Sequence, residues 1–113
     1  MKNLPKPNQL KMFQSIIEHG SFRTAAKALN QTQPALTQSM NELEKMLETP
    51  LMVRGPRGVL LTEAGKLFET RVQLILKELE RAVIDAKLLS ADSRGTIAIG
   101  SSALPFLLCY LQQ

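Results

Sequence analysis

Two residue types that often carry catalytic or redox chemistry are scarce in this sequence. It has one cysteine, Cys109, and one histidine, His19. A lone cysteine excludes a disulfide within the chain and is more typical of a buried apolar residue than of a nucleophile. We expect neither a histidine-based metal cluster nor a catalytic triad, no glycine-rich phosphate loop is present, and Ser101 has no base near it in sequence. An enzyme is therefore not expected, and no metal site is predicted.

Long apolar runs are also lacking. No run approaches the roughly 18 residues of a membrane span, and the first residues lack the apolar stretch of a signal peptide. The composition, 44% hydrophobic and 21% charged, is ordinary for a globular protein, and 113 residues suit one small domain with an appendage. We expect a cytoplasmic protein that has no membrane partner.

Acidic residues are few in the first half of the chain. Residues 1–60 hold eight Lys or Arg and four acidic residues, whereas residues 61–90 hold five of each sign and residues 91–113 hold one of each. The whole excess of +4 therefore lies in the first sixty residues. A localised basic surface favours a polyanion as partner, although this charge is a weak argument by itself.

Three helices are predicted within the first fifty residues. Asn8 is the expected cap of the first helix, and Gly20 its C-terminal end. Ser21 caps a short second helix, and Thr32 caps a third, which Pro50 ends. Because the last two helices are joined by very few residues, the spacing is typical of a helix-turn-helix. The second helix of that motif enters the major groove of DNA by its N-terminal end.

The third helix has an N-terminal half without acidic residues. At 100° per residue its apolar residues fall in one arc that should face the core: Leu36, Met40, Leu43 and Leu47. The opposite arc is polar, and Thr and Gln can hydrogen-bond base edges there, whereas an acid would meet phosphate. The predicted base-reading residues are Gln33, Pro34, Thr37, Gln38 and Asn41. A solvated helix face is the alternative, and this helix alone does not decide between them. Glu42, Glu44 and Glu48 are predicted to lie on such a solvated face.

A tight hairpin is predicted directly after this helix. Two short β-prone runs within residues 51–62 flank Gly-Pro-Arg-Gly, which leaves Arg57 at the tip and Arg54 at the base. A hairpin in this position is the wing of a winged helix, and an arginine at its tip can enter the minor groove. The alternative is a plain surface turn with two solvated arginines.

A long helix follows, capped by Thr62. Its apolar residues keep a spacing of four and three without a break: Phe68, Val72, Ile75, Leu79, Ala82, Ala86 and Leu89. A domain of sixty residues does not need such a helix to close its own core. We therefore predict that this stripe pairs with a second copy of the chain in a two-fold dimer. The competing interpretation is that it packs on the first helix of its own chain, which we expect only for its front half.

The sequence resembles the N-terminal part of the LysR-type transcriptional regulators of bacteria. The likeness lies in the stretch FQSIIEHGSFRTAAKALNQTQPALTQSMNELEKMLETPLMVRGPRGVLLTEAG and covers some fifty positions. It implies a winged helix-turn-helix followed by a linker helix that dimerises, with Gln33, Pro34, Thr37 and Gln38 at the base-reading positions and Arg54 and Arg57 in the wing. Many relatives have Ser-Arg where this chain has Thr37-Gln38, so adenine would suit Gln38 better than guanine.

The resemblance continues beyond the linker helix. Residues 90–95 are a plausible hinge, and residues 95–113 resemble the first strand and first helix of the family's effector-binding domain. In relatives that domain binds a small metabolite between two lobes. One strand cannot form such a domain alone, so the chain is read either as a fragment of a longer regulator or as a truncated product. No cofactor is expected in this chain; a small-molecule effector would bind the missing C-terminal domain.

Taken together, these patterns predict a mainly α protein, a winged helix-turn-helix of three helices and a short β-hairpin wing, followed by a long dimerisation helix. The domains are expected at residues 1–62, 63–90 and 91–113. The predicted function is sequence-specific binding of double-stranded DNA by a homodimer, with tetramers in a full-length form and association with the nucleoid. Expected backbone or minor-groove contacts are Arg23, Lys27, Thr32, Arg54 and Arg57. The alternative is a helical protein-interaction module without DNA binding.

Overall fold

The computed structural model describes residues 4–93. Residues 90–93 of the predicted hinge are helical, while its last two residues and the predicted first strand and helix of an effector-binding domain lie outside the described residues. The elements in chain order are α1 (Pro7–His19), α2 (Phe22–Ala28), α3 (Gln33–Leu47), β1 (Met52–Gly55), β2 (Gly58–Leu61) and α4 (Glu63–Ser93). This order confirms the predicted fold class of three helices, a hairpin and a long fourth helix.

The start of α1 differs from the prediction. Its N-cap is Lys6, whose backbone N–H donates to the side chain of Gln9 at 2.9 Å. Pro7 occupies the first turn, where its missing N–H costs nothing and its fixed φ suits the helix. Asn8, the expected cap, therefore lies inside the helix. The C-terminal end is as predicted, since Gly20 adopts a left-handed φ of 74°.

The caps of α2 and α3 are the predicted ones. The Ser21 hydroxyl accepts from the backbone N–H of Thr24 at 3.1 Å, and the Thr32 hydroxyl accepts from that of Ala35 at 3.2 Å. Between the two helices Asn30 takes a positive φ of 56°, which asparagine tolerates better than most residues. These local signals produce the predicted helix-turn-helix.

The chain divides into two compact units, residues 1–76 and residues 77–113. The first unit has one hydrophobic core, to which α1, α2, α3, the hairpin and the first turns of α4 contribute. The rings of Phe13 and Phe68 meet edge to face, with centroids 5.2 Å apart. Two consecutive small residues, Ala25 and Ala26, are buried on α2 and allow its neighbours in the core to pack closely against it. The fully buried large side chains are Phe13, Ile16, Leu36, Met40, Leu43, Leu51 and Val72.

The packing of α4 corrects part of the predicted dimer stripe. Val72 is 0% exposed and Phe68 packs against the core of its own chain, so both are core residues of the first unit. The expectation that the front half of the stripe packs within the chain is thereby confirmed. Further along α4 the apolar side chains are exposed, including Ile75, Leu79 and Leu89. The helix also runs three residues beyond the predicted end at residue 90.

The hairpin is tight, as predicted, and its turn has two residues. Gly55 pairs with Gly58, which leaves Pro56 and Arg57 at the tip. The backbone N–H of Val59 donates to the carbonyl of Gly20 at 3.1 Å, which ties β2 to the corner between α1 and α2. Gly58 has a φ of 117°, and a Cβ there would lie 2.6 Å from the same carbonyl oxygen. Only glycine therefore fits this approach without strain.

Glu44 does not lie on a solvated face, contrary to the prediction. It is half-buried, and its Oε2 accepts from the backbone N–H groups of Leu51 and Met52 at 2.6 and 3.2 Å. A carboxylate suits this position because it can accept from two donors at once. Glu44 thus links α3 to the start of the wing.

Candidate nucleic-acid interface

One open concavity gathers all the predicted base-reading residues. Its volume is roughly 460 Å³, and its lining consists of Gln33, Pro34, Thr37, Gln38, Asn41 and Arg54. We call these six residues the reading surface. Five of them are on α3, which the core residues Leu36, Met40 and Leu43 orient with this polar side outward. The alternation of buried and exposed positions follows from helical periodicity, as the sequence predicted.

The electrostatics of the reading surface suit an electron-rich partner. The first turn of α3 has no acidic residue, and it is the positive end of the helix dipole. Gln38 Nε2 lies 3.4 Å from Glu42 Oε1, a long contact between two exposed side chains. The amide of Gln38 can therefore turn toward a partner at little cost.

Arg54 connects the wing to α3. It starts from β1, as predicted, but its guanidinium reaches α3, where Nη1 donates to the Thr37 hydroxyl at 3.1 Å. The guanidinium carbon is also 3.8 Å from the centroid of the Phe22 ring, a cation–π contact. Arg54 is thus a wing residue that also lines the reading surface. Strand alternation places it on the same face as buried Met52, two residues earlier, but does not identify Phe22 or Thr37 as its partners.

The other predicted backbone contacts are spread around the reading surface. Arg23 and Lys27 are exposed on α2, and Arg57 is exposed at the hairpin tip. No ion pair engages these three side chains within residues 4–93, so they present uncompensated positive charge. Thr32 uses its oxygen to cap α3 and retains its hydroxyl proton to donate to a phosphate.

Sequence reasoning missed two residues that shape this region. Phe22 is buried in the core, yet one face of its ring supports Arg54. Glu44 was read as solvated, yet it holds the start of the wing. Neither contact follows from helical or strand periodicity, because each joins side chains or backbone groups of separate elements.

The part of the chain that the structure describes holds neither a metal-binding cluster nor a helix that could span a membrane. Within residues 4–93, no three His, Cys, Asp or Glu side chains are grouped closely enough to hold a metal ion. Over the same part of the chain, none of the helices carries an apolar stretch of the length that crossing a bilayer requires.

Comparison with known proteins identifies close relatives along most of the chain. The nitrogen assimilation regulatory protein Nac of Klebsiella aerogenes is 38% identical over 92 residues, which is 81% of this chain and 30% of that protein. The transcriptional regulator TdcA of Escherichia coli K12 is 36% identical over 101 residues, 89% of this chain and 32% of TdcA. The chain therefore spans about a third of the length of these relatives.

A solved structure agrees with both the fold and the sequence. The DNA-binding domain of CbnR, in a crystal structure of its DNA complex, superposes with a TM-score of 0.72 at 34% identity, covering 75% of this chain and 98% of that one. Residues 7–66, which hold the helix-turn-helix and the wing, match the family described as bacterial regulatory helix-turn-helix protein, lysR family. This chain belongs to the lysR family of bacterial regulatory helix-turn-helix proteins.

Proposed function

We propose that this chain is a sequence-specific DNA-binding module of a transcription regulator, which reads the major groove with the N-terminal half of α3. The observation that carries the proposal is the reading surface. Uncharged hydrogen-bonding side chains and one arginine are collected at the exposed, positive end of the second helix of a helix-turn-helix. A helix of this kind fits the width of the major groove. The DNA complex of the CbnR domain supports the same assignment by likeness.

The reading surface and the residues around it make different kinds of contact with DNA. Gln38 pairs best with adenine, because an amide can accept from N6–H and donate to N7 together. Arg23, Lys27 and Thr32 contact phosphates, which adds affinity without sequence information. Arg57 at the hairpin tip contacts the backbone or enters the adjacent minor groove.

The functional form in this proposal is a homodimer. The residues available to a second copy are the exposed or partly exposed members of the α4 stripe, Ile75, Leu79, Ala82, Ala86 and Leu89. A two-fold dimer presents two copies of α3 to half-sites about 34 Å apart on one duplex. Tetramers, a small-molecule effector in a C-terminal domain and a place in the cytoplasm with the nucleoid stay predictions that rest on the resemblance. A catalytic role is not part of this proposal.

The test is binding of the full chain to mixed genomic DNA fragments at salt concentrations from about 50 to 200 mM, followed by sequencing of the bound fraction. We expect affinity to fall by roughly 10³-fold or more over this range, since several phosphate contacts release counterions. An interrupted palindrome should be enriched, and Gln38→Ala should change the enriched sequence while the dimer persists. Absence of binding at low salt by a folded dimer would contradict the proposal and favour a protein-interaction module.

A further inference from the structure

Two contacts fix the guanidinium of Arg54 beside α3. The centroid of the buried Phe22 ring lies 3.8 Å from the guanidinium carbon. The second contact is the hydrogen bond from Nη1 to the Thr37 hydroxyl at 3.1 Å. A flat ring face and a flat guanidinium stack well, so the donor nitrogen is held in one place.

The hydrogen bond from Arg54 determines whether the Thr37 hydroxyl donates or accepts toward a further partner. A hydroxyl has one proton and two lone pairs, whereas a guanidinium has donors only. Thr37 Oγ1 must therefore accept from Arg54, and its own proton must point to a different acceptor. One lone pair of Oγ1 remains, but an N–H donor that approached it would lie beside the cationic guanidinium, so the hydroxyl serves better as a donor than as an acceptor.

Within a helix, a threonine hydroxyl commonly donates its proton to a backbone carbonyl of the preceding turn, and Thr70 is an example. Its Oγ1 donates to the carbonyl of Lys66, one turn earlier, at 3.2 Å. Thr37 makes no such bond, and within residues 4–93 its only side-chain hydrogen bond is the one with Arg54. The Thr37 proton is consequently available at the reading surface.

We infer that Arg54 is a positioning residue that sets Thr37 as a hydrogen-bond donor, and that this chain thereby rejects cytosine at one position of each half-site. Guanine, adenine and thymine each present an acceptor in the major groove, N7, O6 or O4, whereas cytosine presents only the N4 amino donor. A cytosine opposite Thr37 brings its amino donor against the hydroxyl proton and the cationic guanidinium, whereas an acceptor in the same place is favoured by both. This inference rests on the proposed function and adds to it the class of base that is refused.

The test compares the full chain with Arg54→Met, Thr37→Val and the double variant. Each is bound to the enriched DNA site and to sites with cytosine placed in turn at every position. For the unchanged chain we expect one position per half-site at which cytosine lowers affinity by roughly 5- to 150-fold, the range of one specific base contact. Arg54→Met removes the guanidinium beside the hydroxyl, which can then accept from N4, and Thr37→Val removes the hydroxyl itself. In each single variant the loss of affinity caused by cytosine should therefore shrink to about twofold or less, because the discriminating contact is no longer made. The double variant should show no further change.

Arg57→Met is the matched control, because it removes the same charge from the same hairpin without a contact to Thr37. It should weaken binding to all sites and reduce the salt slope by about one, while the cytosine position stays unchanged. Circular dichroism and thermal unfolding establish that each variant is folded. If Arg54→Met is unfolded, Thr37→Val decides by itself.

The outcomes separate this inference from the proposed function. Enrichment of a defined sequence with cytosine tolerated throughout, or with its rejection preserved in Arg54→Met or Thr37→Val, would overturn the inference and leave the proposed function standing. Binding without any enriched sequence would overturn both.

Discussion

At the scale of single residues, the carboxylate of Glu44 joins α3 to the start of the hairpin. It accepts from two consecutive backbone N–H groups, those of Leu51 and Met52. Leu51 is itself buried, so its N–H would otherwise be withdrawn from water without a bond. A hydrogen bond from a half-buried donor to a charged acceptor contributes more than a neutral one.

Glu44→Ala should therefore lower the free energy of unfolding by about 2 kcal/mol, the range of hydrogen bonds to charged groups. Glu44→Gln should cost less, because the amide oxygen can still accept one of the two bonds. Urea denaturation measures both. Glu42→Ala is the control on the same helix: its only described contact is long and exposed, so its effect should stay within about 0.5 kcal/mol. Equal losses for Glu42→Ala and Glu44→Ala would contradict this role.

At the scale of elements, the wing is fixed at its strands while its tip remains free. Glu44 holds the start of β1, and the Gly20 carbonyl holds the start of β2. Arg54 then reaches from β1 to α3. The position of the reading surface thus depends on the hairpin as well as on α3.

Gly58→Ala should lower the free energy of unfolding by about 1–3 kcal/mol, the cost of a side chain at a strained positive φ. Its Cβ would also displace the Gly20 carbonyl, so DNA affinity should fall with stability. Gly55 is its strand partner and provides the control, since a Cβ there meets no atom closer than 4.0 Å. Thermal unfolding of the two alanine variants checks the difference, and a Gly55→Ala as damaging as Gly58→Ala would count against this account of the hairpin.

The elements themselves were largely predictable, and physical reasons separate the successes from the failures. Ser21, Thr32 and Gly20 act through bonds within a few residues along the chain, so sequence spacing reveals them. Asn8 failed as a cap because Pro7 already supplied a helix start one residue earlier. The contacts of Arg54 and Glu44 could not be predicted from spacing, since they depend on how separate elements approach in space.

At the scale of the whole molecule, an apolar stripe does not specify what covers it. The spacing of four and three runs unbroken from Phe68 to Leu89, yet Val72 is buried in its own chain and Leu79 is exposed. Burial within a chain and burial between two chains require the same periodicity, so the sequence could not distinguish them. The exposed part of the stripe remains the predicted dimer surface.

Leu79→Asp should weaken dimerisation by at least about tenfold, because it places a charge in an apolar interface. DNA affinity should fall with it, since two half-sites are then no longer bound together. Ile84 is the matched control: it is 49% exposed against 42% for Leu79, but five residues on it faces about 140° away. Sedimentation equilibrium measures the dimer dissociation constants of Leu79→Asp and Ile84→Asp. A Leu79→Asp dimer of unchanged stability would contradict the assigned dimer surface.

The division of α3 into a buried side and a reading surface has an evolutionary consequence. Gln33, Gln38 and Asn41 are exposed and hold no core contact, so DNA preference can drift at these three positions under little constraint from folding. Thr37 is different, because it shares a hydrogen bond with Arg54 and its replacement alters the surroundings of both. Lineages that descend from this scaffold, and libraries built on it to obtain new binding preferences, are therefore free to vary the first three positions independently but must change Thr37 and Arg54 together.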